Sequence, residues 1–256
     1  MKIGIKNVVK NTLDGLFPPF CRGCGRREAF LCERCKKYIS ENMGARSFEE
    51  RGSFRKAEYL GFRDEILGEL VEEAKYESVR GLVGEIAEVV WRGYFSGSLC
   101  EGVLKKSGIK TSAPEVILVP MPTSRKHVRE RGLDHMDKLA REIERFSEGR
   151  VRRVRLLERR RDTVQVGASP EVRRKQAKEA VEMSLKYLGK DGKVLEEYRG
   201  ARVVLIDDVW TTGASMLEAG KILTRVGVED LSAVAVTKNR TKRSPVIRRG
   251  VIELDA

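Results

Sequence analysis

Two adjacent carboxylates, Asp207 and Asp208, close the apolar run Val203-Val204-Leu205-Ile206, and after two further residues the chain reads Thr211-Thr212-Gly213-Ala214-Ser215. The run lacks polar alternation, the pattern of a strand covered on both faces of a parallel sheet. Acids placed there stand at the strand's carboxyl end, the rim where open α/β sheets bind their ligands. The small, hydroxyl-bearing residues lead into Met216 to Leu223, which has helical spacing, so a helix amino end with unpartnered N–H groups is expected directly behind them. Those amides, with the hydroxyls of Thr211, Thr212 and Ser215, suit a phosphate, and Gly213 lets the backbone approach it closely. Carboxylates repel a phosphate, so Asp207 and Asp208 must serve another part of the ligand. Vicinal ribose hydroxyls are one candidate and a hydrated magnesium ion is the other. A ribose 5-phosphate group satisfies both halves of the stretch.

A second group with chemistry in its spacing is Cys21, Cys24, Cys32 and Cys35, two Cys-x-x-Cys pairs. Four thiolates so arranged complete a tetrahedral shell around zinc, with no position left for water, so the expected site is structural. Disulfides are the rival reading. The segment Met1 to Lys10 is interrupted by lysines and lacks the apolar core of a secretory signal, so a reducing, cytoplasmic setting that favours metal over disulfides is expected. Cys100 is left over and reads as a small, partly buried apolar residue. A third group follows Val116 to Pro120: Met121, Pro122, Thr123, Ser124 and then Arg125, Lys126, Arg129 and Arg131. A strand that releases into hydroxyls and cations forms another anion site, with pyrophosphate a plausible occupant. The alternative is a solvated basic loop. His127 and His135 are the only histidines, neither spaced for a metal or a catalytic triad, and both are expected in ordinary surface or loop roles.

The positioning elements follow in order. Helical spacing over Ile5 to Phe17 ends at Pro18-Pro19, and two further helices are expected between Phe54 and Phe95, parted near Tyr76-Glu77-Ser78, with no strand before Val116 and no chemistry of their own. A helix is expected over Asp134 to Phe146, a strand at Val154 to Leu157, a hairpin through Val181, Met183, Leu185 and Val194, and a last core strand at Ser232 to Thr237. The aperiodic segment after Arg159 carries Arg161, Thr163 and Gln165 and reads as a loop able to fold over a bound polyphosphate, or as an exposed basic linker. This divides the 256 residues into 1–45 (helix and four-cysteine module), 46–110 (helical cap), 111–240 (the α/β domain) and 241–256 (basic tail). A formal net charge of +13 favours polyanionic partners, whether nucleic acid, an anionic membrane surface or a substrate carrying several phosphates, although few aromatics interleave the basic runs and no single-strand stacking platform stands out.

The stretch from Val203 to Ser215 resembles the phosphoribosyl pyrophosphate (PRPP) motif of type I phosphoribosyltransferases. With the four cysteines, the Val-Pro-Met-Pro loop leading to Arg129-Glu130-Arg131-Gly132, and Thr163-Val164-Gln165, the chain from about Leu13 to Thr237 is similar to the ComF family, phosphoribosyltransferase-like proteins associated with DNA uptake in competence. The resemblance implies a type I phosphoribosyltransferase fold, a mainly parallel twisted sheet flanked by helices. It also implies ribose hydroxyls at Asp207 and Asp208, directly or through magnesium, and the 5-phosphate at Thr211, Thr212, Gly213, Ala214 and Ser215. Pyrophosphate would lie against Met121 to Arg125 and be neutralised by magnesium, Arg125 and Lys126, while a mobile loop from Arg161 to Arg174 would close during transfer to a nitrogen acceptor. The competence association implies single-stranded DNA and a helicase-like competence protein as partners of a non-catalytic adaptor. Sensing of PRPP is a third reading. Two departures stand out: Arg131-Gly132-Leu133-Asp134-His135 where relatives often carry Arg-Gly-Phe-Asn-Gln, and Gln176 where an Asn is common.

Overall fold

Strands with no polar face need cover on both sides, and that requirement sets the architecture. A computed structural model describes residues 19–27, 29–42, 46–48, 51–75, 80–99, 116–159 and 181–239. Helix α1 (Glu33–Asn42) is followed by β1 (Arg46–Ser47), β2 (Lys56–Phe62), α2 (Ile66–Ala74) and α3 (Arg80–Val90), which continues in wider turns to Leu99. Then come β3 (Val116–Pro120), α4 (Arg125–Arg131), α5 (His135–Phe146), β4 (Val151–Arg153), β5 (Leu157–Arg159) and β6 (Val181–Met183). Helix α6 (Glu196–Arg199), β7 (Arg202–Trp210), α7 (Ala214–Arg225) and β8 (Asp230–Lys238) complete the described chain.

Six strands form one sheet in the order β1-β2-β8-β7-β3-β4, and every neighbouring pair is parallel except β1 with β2. Val204 and Ile206 of β7 pack with Val234, Val236 and Leu118 under α2, α3 and α5. Val203 and Leu205 turn the other way, with Ile117, Val119 and Ala233, against Met216, Ala219 and Leu223 of α7 and the β5–β6 pair. The expected α/β sheet flanked by helices is the one observed. Helix α5 begins where Asp134 caps it, accepting from the Asp137 N–H at 3.1 Å.

Three expectations are corrected. A strand precedes Val116 after all: β2 joins the sheet parallel to β8. Lys56, Glu58 and Gly61 break its apolar pattern, yet Ala57 to Phe62 are all buried. The strand expected at Val154 to Leu157 does not form there: Val154 to Leu156 are irregular where the chain leaves the main sheet between β4 and β5, and only Leu157 enters a strand. Strand β6 pairs with β5 rather than with its own downstream segment, and of the expected hairpin only a bridge between Leu188 and Val194 forms. The helix expected over Ile5 to Phe17, Cys100, the Arg161 to Arg174 loop and the basic tail lie outside the described residues.

Helix α5 is pinned to the β4–β5 connection by Asp137, which is buried and accepts hydrogen bonds from Arg141 at 3.0 Å, Arg155 at 2.6 Å and Arg153. Burial pushes this carboxyl up, but the three guanidiniums, Arg155 foremost, outweigh it and hold the group below the usual carboxylate range. A depressed folded-state pKa contributes stability above the unfolded value, near 3.9, and loses it as pH falls through the folded one. Asp137→Asn is expected to cost about 2–3 kcal/mol at neutral pH, the range for hydrogen bonds to a charged group. In denaturant melts across pH, the gap from wild type should narrow only below about pH 4.

Candidate functional site

Side chains alternate along β7, so Asp207 and Asp208 leave the strand on opposite faces. Asp208 falls on the side of α2 and α5. Its Oδ2 lies 3.0 Å from His135 Nε2 and 3.2 Å from the Nζ of Lys75, the residue that ends α2. Lys75 also meets Glu72 Oε2 at 3.0 Å. Burial alone would raise Asp208, but the bond from His135 and the charge of Lys75 prevail and hold it well below the ordinary range. An ionised Asp208 only accepts, so His135 carries its proton on Nε2. Asp207 is the opposite case: burial and the neighbouring Asp208 charge push it well above the usual value, although its Oδ1 accepts the Asp208 N–H at 2.9 Å.

The turn after β7 is held from behind. Gly213 adopts φ of +74°, and a Cβ there would lie 2.4 Å from the Trp210 indole, which is buried and stacked on Phe48 with ring centroids 3.9 Å apart. Thr211 and Thr212 are exposed, Ala214 and Ser215 are half-buried, and α7 opens at Ala214. The first intrahelical bond runs from the Leu217 N–H to the Gly213 carbonyl at 2.8 Å, leaving the amides before it for capping or ligand. Thr212 Oγ1 lies 3.4 Å from the Ala214 N–H.

The neighbouring rim is built by β3, whose Pro120 pairs with Ile206. Met121 follows, buried, its N–H donating to the Ile206 carbonyl at 2.9 Å, so neither its side chain nor its amide is available to a ligand as the sequence reading expected. Thr123 Oγ1 donates to Asp134 Oδ1 at 3.0 Å, and Ser124 caps α4. Arg125 and Lys126 stand exposed on that short helix. Topology thus brings Asp207, Asp208, the 211–215 turn and the Met121 to Arg125 loop to one edge of the sheet, while Arg161 lies outside the described residues.

Residues 128–253 match the family described as phosphoribosyl transferase domain. The chain carries a phosphoribosyl transferase domain. Over 218 residues it is also 23% identical to competence protein F of Haemophilus influenzae, an alignment covering 83% of this chain and 82% of that protein. Both findings bear out the resemblance read from the residues. The matched phosphoribosyl transferase domain includes β7, the acid pair, the turn and His135, but not β2, Lys75 or the cysteines.

His135 and Lys75 were the residues the sequence reading missed. His135 was expected in a surface or loop role; it is 8% exposed and bonded to an acid of the motif. Helix α2 was expected to be free of chemistry, yet its end delivers Lys75 to the phosphoribosyl transferase domain. A magnesium ion directly on this acid pair fits poorly, because one carboxylate oxygen already holds two donors and the other acid is pushed toward its neutral form.

Outside the matched phosphoribosyl transferase domain, the thiols of Cys21, Cys24, Cys32 and Cys35 lie within 4.8 Å of one another, Cys24 and Cys32 at 3.6 Å. A zinc ion with Zn–S bonds of about 2.3 Å needs sulfurs about 3.8 Å apart, so the donor set fits. Burial opposes ionisation of Cys21, but the N–H groups of Cys32, Cys24 and Gly23 bring it down to about 7. Burial and the crowding of neighbouring thiols push Cys35 up, a conflict that a bound cation resolves. Ion pairs seat this knuckle on the helices: Arg22 with Glu73 at 2.7 Å, and buried Lys36 with Glu85 at 3.1 Å and Glu88 at 2.7 Å. No helix among the described residues is long and apolar enough to cross a membrane.

Proposed function

We propose that the protein binds PRPP and transfers its phosphoribosyl group to a nitrogen acceptor. The observation that carries this reading is the strand end itself: an acid pair at the rim of β7 followed by a left-handed Gly213 turn that opens α7. The ribose hydroxyls donate to Asp207 and Asp208, and the 5-phosphate is held by the amides and hydroxyls of residues 211–215. Pyrophosphate leaves toward the loop after β3, where Ser124 and Arg125 stand and Lys126 adds charge. Magnesium, when it accompanies the substrate, supplies charge neutralisation at the pyrophosphate. No protein nucleophile is needed, because positive charge develops on the sugar as in glycoside cleavage and the residues act by orienting both ends. The zinc knuckle is structural.

Titration calorimetry tests this. Wild type is expected to bind PRPP with magnesium, and the double variant Asp207→Asn/Asp208→Asn to bind it about a hundredfold more weakly while keeping its zinc and its melting cooperativity. Undiminished affinity in the variant would remove the assignment. Pyrophosphate release across a panel of bases and ammonia then identifies the acceptor and separates a transferase from a PRPP sensor.

A second reading, supported by the exposed cations of α4, the net charge of +13 and the similarity to competence protein F, is contact with single-stranded DNA and a competence partner such as a helicase. It differs in outcome, since DNA binding by that surface persists in the double aspartate variant.

A further inference from the structure

We infer that Lys75 is the resident counter-ion of the acid pair: it occupies the place at Asp208 that a divalent cation would otherwise take, so the sugar end of the site works without a directly coordinated metal. The inference starts from convergence. Two helices that are far apart in sequence each deliver one donor to the same oxygen, Asp208 Oδ2, with Lys75 Nζ arriving from the end of α2 at 3.2 Å and His135 Nε2 from the start of α5 at 3.0 Å. A metal bound there would lose a ligand atom to two hydrogen bonds and face an ammonium within contact distance.

The lysine is not a surface group that has strayed inward. It is 9% exposed, its N–H closes the last turn of α2 on the Glu72 carbonyl, and its ammonium is shared with the Glu72 carboxylate. A cation at a helix carboxyl end is also favoured by the helix dipole. Helix α2 has little freedom to withdraw it. A Cβ on Gly68 would lie 2.2 Å from the Arg63 carbonyl oxygen, so the first turn sits directly on the backbone of the preceding loop, and Glu73 is bonded to Arg22 of the cysteine knuckle. Below the acid, Val71, Ala74, Ile86, Met136 and Leu139 line a small cavity beside His135 and Asp208, an apolar wall that offers no oxygen to a hydrated ion. Among the described residues, approach is from the rim.

The consequence deepens the proposed function and rests on it only there: ribose hydroxyls meet a carboxylate whose charge is already balanced by protein, and magnesium stays with the pyrophosphate. Lys75 is thus a positioning residue, acting through Asp208. It lies outside the matched phosphoribosyl transferase domain and comes from the segment that the knuckle holds in place.

The test uses Mn²⁺ alone, without PRPP, on zinc-loaded full-length protein, read by electron paramagnetic resonance of free ion. Wild type is expected to show no site that depends on Asp208. Lys75→Met is expected to bind Mn²⁺ about tenfold or more tightly than wild type, Lys75→Met/Asp208→Asn to lose that gain, and Lys75→Arg to behave as wild type. Equal Mn²⁺ binding in wild type and Lys75→Met would overturn the inference. Should Lys75→Met fail to fold, wild type decides with Lys75→Arg: Mn²⁺ binding to wild type that Asp208→Asn abolishes overturns it, and its absence in both supports it. A PRPP titration of wild type in parallel reports separately on the proposed function.

Discussion

Zinc removal is expected to unfold the segment 19–42 and to lower the melting temperature of the whole chain by about 10 °C, a shift that corresponds to a few kcal/mol for a protein of this size. The knuckle has almost no core of its own. Leu31, Cys32, Cys35 and Ile39 belong to the same buried cluster as α3 and the inner face of β7, so its loss strips one wall from that cluster. Structural zinc contributes on the order of 10 kcal/mol to folding of small modules, more than ion pairs such as Lys36 with Glu85 and Glu88 can replace. Cys35→Ser tests the same point without a chelator. The measurements are zinc content, calorimetric melting, and reaction of the thiols with a disulfide reagent, which should be silent at all four positions until a chelator is added. Rapid thiol labelling in the untreated protein, with the same melting temperature before and after chelation, would show that no metal holds the module.

Gly213→Ala should be the most damaging single substitution in the 211–215 turn. At φ of +74° any side chain costs about 1–2 kcal/mol, and here the added carbon would also lie 2.4 Å from a ring that cannot step aside, because Trp210 is buried against Phe48. The backbone must move, and what moves is the turn that carries Thr211, Thr212 and the first amides of α7. Expected are a loss of about 3 kcal/mol in stability and PRPP affinity reduced about a hundredfold or more. Gly149→Ala is the matched control: φ there is +89° with nothing within 4 Å, so it should pay only the backbone cost and bind PRPP as wild type does. Full affinity in Gly213→Ala would mean that the phosphate is held elsewhere.

The parts of the fold that were legible in the sequence were those whose signal is local. Val203 to Ile206 reads as a buried strand because nothing interrupts it, and α5 reads as a helix because Asp134 caps it and Met136, Leu139, Ala140 and Ile143 share a face. Strand β2 was hidden by Lys56, Glu58 and Gly61, whose types argue against a central strand although the structure buries Glu58 and pairs it with Lys56. The acid pair and the 211–215 turn stood out as an ordered run of residues. Their partners were not, since His135 lies 73 positions from Asp208 and Lys75 further still, and no periodicity encodes a meeting that only the sheet order and the seating of two helices bring about.

The pairing of β2 with β8 also bears on how the chain is made. A ribosome releases Ala57 to Phe62 well before Asp230 to Lys238, the edge they dock against, so a buried strand must wait through synthesis of all the chain between them without its neighbour. The cysteine knuckle and α2 with α3, which are local in the chain, are available to shelter it meanwhile, and the sheet closes only once β8 has emerged.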